Sequence, residues 1–138
     1  MALVLDTGVI YAALDENDRD HEACEALIAD CGEQLIVPEP VLVELEYWLR
    51  KTTTIDVWLA FAEDVHAGAF ALWHADAALL LAAATLQARF SDQGLGFVDA
   101  AVFCTCDALG ESKVATLDRR HFSVLRNAAG DALDLLPQ

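Results

Sequence analysis

The sequence predicts an α/β fold, with helices on both faces of a central, mainly parallel sheet of about four or five short strands. Three observations lead there. Apolar runs of three to five residues alternate with longer stretches of helical periodicity, the pattern of strands covered on both sides. Gly32, Gly68 and Gly110 stop helical stretches, Gly94 and Gly96 mark a loop, and Pro38 and Pro40 close a strand. The chain has 138 residues, of which 56% are hydrophobic, enough for one domain, residues 1–138, around one core.

Leu3–Val4–Leu5 is the first apolar run, and Asp6-Thr7-Gly8 turns it into a helix. Cys24, Leu27, Ile28 and Cys31 recur at i, i+3, i+4 and i+7, one stripe of an amphipathic helix that Gly32 stops. Leu35–Val37 is the second strand, closed by Pro38-Glu39-Pro40. Helices follow over about Val41–Lys51 and Ile55–His66, the latter stopped by Gly68. Ala69–Trp73 reads as the third strand. Asp76 caps a long helix reaching about Phe90. Gly94 and Gly96 mark a loop before a helix over about Val98–Leu109, with Gly110 as its stop. Lys113–Leu117 is a strand ending at Asp118. A short helix and a last apolar run, Ala132–Leu136, follow.

Composition excludes several classes. High hydrophobicity excludes intrinsic disorder despite the net charge of −15. The stretch Ala77–Ala88 lacks charged residues and His but is too short for a membrane span of roughly 18 apolar residues. MALVLDTGVI has no basic residue ahead of its apolar stretch, so no secretory signal is expected, and the expected compartment is the cytoplasm. The four cysteines include no C-x-x-C pair and read as buried, reduced thiols. The charge is uneven. Residues 15–33 carry eight acids against Arg19, whereas residues 112–127 carry Lys113, Arg119, Arg120 and Arg126 against Asp118.

Four carboxylates stand out. Ligands in open α/β sheets gather outside the carboxyl ends of the strands. Asp6 and Asp118 sit at two such ends, where each equally suits an N-cap. Glu44 lies on an otherwise apolar stripe with Val41, Leu45 and Trp48. Burying an acid there is costly unless it is paired or binds a metal. Glu46, in contrast, has Arg50 four residues on, in the favourable order for a surface pair. Asp99 shares a stripe with Val102, Phe103 and Cys106, though a first-turn acid also suits the helix dipole. Four converging carboxylates repel one another, and a divalent cation removes the difficulty. Oxygen-only ligation suits Mg²⁺ or Mn²⁺.

Thr7 and Thr116 flank the two strand-end acids and can orient a carboxylate, or serve as a cap and a strand residue. Arg119 and Arg120 stand where a helix begins, against its dipole, which a phosphate contact would explain as well as plain solvation does. His21, His66, His74 and His121 show no metal-ligand spacing, and His121 before Phe122 reads as structural. Asp6-Thr7-Gly8 spells the aspartic-protease triplet, but a helix-rich chain with one copy does not suit that fold. Gly8 stands where a haloacid dehalogenase-like phosphatase needs a second Asp. No phosphate-binding glycine loop occurs.

Four segments together resemble PIN-domain ribonucleases, and among them VapC-type toxins of bacterial toxin–antitoxin pairs. They are Asp6-Thr7-Gly8-Val9-Ile10, Pro40-Val41-Leu42-Val43-Glu44-Leu45, Gly94-Leu95-Gly96-Phe97-Val98-Asp99-Ala100-Ala101 and Ala115-Thr116-Leu117-Asp118-Arg119-Arg120-His121-Phe122. The resemblance implies a PIN-like three-layer α/β/α sandwich. It implies an endoribonuclease in which Asp6, Glu44, Asp99 and Asp118 hold Mg²⁺ or Mn²⁺ and a metal-activated water hydrolyses RNA, with Thr116 at an auxiliary polar position. It also implies a homodimer and a cognate antitoxin whose tail reaches the acidic site. Two other readings stand beside it: an RNA-maturation nuclease without antitoxin, and a non-catalytic module binding metal or a partner.

Overall fold

The computed structural model describes residues 1–138. Its strands are β1 (Ala2–Val4), β2 (Gln34–Pro38), β3 (Ala71–Trp73), β4 (Lys113–Ala115) and β5 (Asp134–Leu136). Its helices are α1 (Thr7–Leu14), α2 (His21–Asp30), α3 (Glu39–Thr52), α4 (Ile55–His66), α5 (Ala77–Arg89), α6 (Phe97–Leu109) and the single turn α7 (Arg119–Phe122).

All strand pairs are parallel. Leu3 faces Leu35, Val37 faces Leu72, and Val114 faces Leu135. A parallel bridge between Leu5 and Ala115 joins the two ladders, so the strands run β3-β2-β1-β4-β5 across the molecule. From β1 the chain winds outward through β2 and β3, then returns to place β4 on β1's other side. The order therefore reverses between β1 and β4, and the crevice beyond the carboxyl ends of those strands is where such sheets bind ligands.

The core explains why the strands read as uninterrupted apolar runs. Leu3, Val4, Leu5, Val37 and Val114 are fully buried because helices cover the sheet. Val9 and Ile10 of α1, Val41, Leu45 and Leu49 of α3, and Phe61 of α4 fill the same cluster. The burying stripe of α3 is the i, i+4, i+8 row Val41, Leu45 and Leu49.

Several element ends differ from the sequence expectation. The fourth strand stops at Ala115, two residues early, because the Thr116 hydroxyl accepts the Asp118 N–H at 3.0 Å and turns the chain out of the ladder. Helix α3 starts two residues early, since Pro40 lies in its first turn, where no backbone donor is needed. The third strand starts at Ala71, because Gly68, at φ 93°, ends α4 and lets the Ala69 N–H return to the Asp64 carbonyl. The last strand begins at Asp134. Asp76 does cap α5, accepting the Leu79 N–H at 2.9 Å. All four thiols are free. Cys24 and Cys106 are buried as expected, but Cys31 and Cys104 are only half-buried. No helix is long and apolar enough to cross a membrane.

Candidate active site

Four elements converge at the switch point. Asp6 follows β1, with its backbone N–H bound to the Ala115 carbonyl of β4 at 2.8 Å. Glu44 projects from α3, Asp99 from the first turn of α6, and Asp118 from the link between β4 and α7. All four carboxylates line one cavity of about 330 Å³, together with Gly8, Trp48 and Leu117. Residues separated by as many as 112 positions in sequence thus share one wall.

Each acid is held differently. Asp6 is the most buried, at 5% exposure. Its Oδ1 accepts the Thr7 N–H at 2.8 Å and its Oδ2 accepts the Thr116 hydroxyl at 2.8 Å. It is therefore a helix cap and a site residue at once. Burial pushes its carboxyl up to about 6, against these two hydrogen bonds and with the charges of Glu44 and Asp118 adding to the rise. Asp99 is pushed to about 7, first by burial and then by the charges of Asp6 and Asp118. Asp118 moves the other way. Partial burial opposes ionisation, but hydrogen bonds from His121 outweigh it and hold the carboxyl below its ordinary value. Its Oδ1 accepts the His121 N–H at 3.1 Å, so Asp118 also caps α7.

His121 belongs to this site, against the structural reading of its sequence context. Nδ1 lies 2.8 Å from Asp118 Oδ2 and 3.7 Å from Asp99 Oδ2, and Nε2 faces the Gln93 carbonyl at 3.3 Å. The hydrogen bond to Asp118 raises the imidazole's pKa. Asp99, Asp118 and His121 each offer a ligand atom within 4.8 Å of the others. The signal was present in the sequence: His121 stands three residues after Asp118, on the same side of one helical turn.

The remaining expectations divide. Thr116 is fully buried, and its hydroxyl donates to Asp6. Thr7 is not the cap of α1; its hydroxyl is buried beside Asp6 and has no hydrogen-bond partner. Glu46 pairs with Arg50 at 2.9 Å on the surface, which leaves Glu44 as the acid without such an explanation. Arg119 and Arg120 do not line the acid cavity, and the Arg119 guanidinium donates to the Pro137 carbonyl at 2.9 Å.

No Lys or Arg pairs with any of the four acids. A hard divalent cation fits this uncompensated negative charge. The donors are carboxylate oxygens, two of them with pKa values raised first by burial and then by neighbouring negative charge, and a buried orphan hydroxyl stands beside them.

Residues 3–127 match the PIN domain family. The chain belongs to that family. It is 32% identical to the ribonuclease VapC26 of Mycobacterium tuberculosis over 135 residues, 98% of this chain and all of the relative, which makes it a VapC homologue within the PIN family. Solved structures share the fold. VapC20 of Mycobacterium tuberculosis, a toxin that cleaves the sarcin-ricin loop, superposes with a TM-score of 0.74 at 22% identity, over 81% of this chain and 86% of that one. The DNA-bound VapBC of Salmonella typhimurium gives a TM-score of 0.68 at 16% identity, over 98% and 96%. VapBC2 of Rickettsia felis, bound to a promoter fragment, gives 0.67 at 17%, over 98% and 97%.

Proposed function

We propose that this PIN-domain protein is a Mg²⁺- or Mn²⁺-dependent endoribonuclease and the toxin of a cytoplasmic toxin–antitoxin pair. The observation that carries the proposal is the convergence of Asp6, Glu44, Asp99 and Asp118 on one cavity with no Lys or Arg among them. Its likeness to VapC26, a ribonuclease, supports the substrate class. The structural likeness to VapBC complexes supports an antitoxin as partner. A homodimer and a single domain over residues 1–138 belong to the same reading.

The four carboxylates hold the metal, which when bound supplies a Lewis acid for phosphodiester hydrolysis. Asp6 is fixed by Thr7 and Thr116, so its two oxygens keep one orientation. Asp118 is fixed by His121 from both backbone and side chain. Asp99 is the acid that holds its proton to the highest pH, about 7, and would have to release that proton to serve as a ligand. Arg119 and Arg120, on α7 just after Asp118 and outside the cavity, are the cations this reading assigns to RNA phosphates, whereas Lys113 is taken up by Glu33 at 2.9 Å.

Total cellular RNA incubated with wild type and Asp99→Asn, with Mg²⁺, Mn²⁺ or EDTA, tests this. Discrete fragments requiring both metal and Asp99 are expected. Cleavage undiminished in Asp99→Asn or in EDTA would overturn it.

A further inference from the structure

A second concavity shares a wall with the acid cavity. Its volume is about 710 Å³, within the range of clefts that hold small ligands. Glu44 and Trp48 line both spaces. Along α3, Glu44 and Trp48 form one i, i+4 row, and Val43 and Tyr47 form the adjacent one. One row faces the carboxylates while the other opens into the groove, which Phe97 at the start of α6 completes.

The groove displays side chains that a fold normally covers. Val43 is 76% exposed, Tyr47 47%, Trp48 37% and Phe97 36%. Three of the four are aromatic. Trp48 is held in place by an edge contact with Tyr11, ring centroids 5.8 Å apart at 87°. Beside the groove, Lys51 Nζ and the Arg50 guanidinium sit 4.6 Å and 5.6 Å from the Tyr47 ring centroid; Arg50 pairs with Glu46, and Lys51 has no carboxylate partner. Aromatic faces beside a free cation are the pattern of single-stranded nucleic-acid sites, in which bases stack and the backbone meets the cation.

We infer that this groove seats unpaired nucleobases next to the cleaved phosphodiester, stacked on Trp48, Tyr47 and Phe97. The inference rests on the ribonuclease reading above and names where its substrate lies. It also accounts for a conflict in the sequence. A chain of net charge −15 gains little from phosphate contacts, and the groove itself carries Glu44 and Glu39, the latter held by His74 at 2.8 Å, so binding there draws on stacking against uncharged rings. Sequence-specific RNA recognition commonly takes this form, with splayed bases on aromatic side chains.

The test uses the 138-residue protein with Mn²⁺ and a short synthetic RNA spanning a site that wild type cuts in total cellular RNA. Tyr47→Ala and Phe97→Ala should each lower kcat/KM by about tenfold or more, chiefly through KM, with melting temperature unchanged. Trp48→Phe should retain cleavage that Trp48→Ala loses. An abasic nucleotide beside the cut phosphate should slow wild type by a similar factor and add little to Tyr47→Ala, a result that needs no folded variant for its first half. If wild type cuts no RNA, the ribonuclease reading fails and the base subsite falls with it. If wild type cuts and neither the abasic substrate nor the alanine variants differ from it, the ribonuclease reading stands. The base subsite is then overturned, and the groove is left to a protein partner.

Discussion

Replacing Asp6 by Asn should make metal-free protein more stable at pH 8 and give little advantage at pH 4. The Asp6 carboxyl titrates at about 6 in the folded protein against an ordinary 3.8, mainly because it is buried. A raised folded-state pKa means that the native state holds the proton more tightly than the unfolded chain does. The associated stability is complete below pH 3.8 and is lost as pH rises through about 6. Two pKa units correspond to about 3 kcal/mol. Asn cannot ionise, so that loss is absent in the variant, and its stability relative to wild type should grow by about 3 kcal/mol between pH 4 and pH 8. Asp99 reinforces the trend, because removing the Asp6 charge relieves one cause of its own raised pKa. Asp118, held below its ordinary value, loses its contribution only at pH values under the ordinary carboxylate range and adds no slope within this window. Urea denaturation of both proteins in EDTA at half-unit pH intervals measures the difference directly. Subtracting the two curves cancels the contribution of acids that do not feel the Asp6 charge, and Asp99 adds to the difference in the same direction. Parallel curves would refute the claim that desolvation of Asp6, unrelieved by any cation, governs the empty site.

Three further outcomes are expected. Thr116→Val removes the donor to Asp6 and the acceptor of the Asp118 N–H, and should weaken Mn²⁺ binding by about 10–100-fold in calorimetric titration while the fold is kept. Asp99→Asn should abolish RNA cleavage with circular dichroism unchanged, since the side chain packs in the cavity wall and not in the core. Leu45→Ala should destabilise by about 2–5 kcal/mol in urea denaturation, because Leu45 is fully buried where α3 meets the core.

Much of the fold was legible because strand and helix signals are local. The run Leu3–Val4–Leu5 and the row Val41, Leu45, Leu49 announce burial through periodicity alone. Strand ends were less legible. Lys113–Leu117 reads as one apolar run, yet the hydrogen bond from the Asp118 N–H to the Thr116 hydroxyl decides where pairing stops. The acids were legible as anomalies: Glu44 on an apolar stripe, Asp6 and Asp118 at strand ends. Capping and site membership were posed as alternatives for Asp6 and Asp118, but the geometry does not separate them: one oxygen of each serves the cap, the other is held by Thr116 or His121, and both residues line the shared cavity. His121 was legible only in part: its spacing of three from Asp118 stands in the sequence, but its contact with Gln93, 28 residues away, depends on the turn of α7.

The sequence by itself determined the alternation of strand and helix, the family pattern of four acids, and the surplus of negative charge. These are properties of composition and spacing, which survive without knowing any long-range contact. Only the tertiary structure decided that β1 and β4 lie side by side, which brings Asp6 and Asp118 to one crevice. It alone left Arg119 and Arg120 outside that crevice and set exposed aromatics against the carboxylates along α3. The physical reason is that desolvation and charge repulsion act over a few ångströms in space, and the chain order of residues does not state which of them become neighbours.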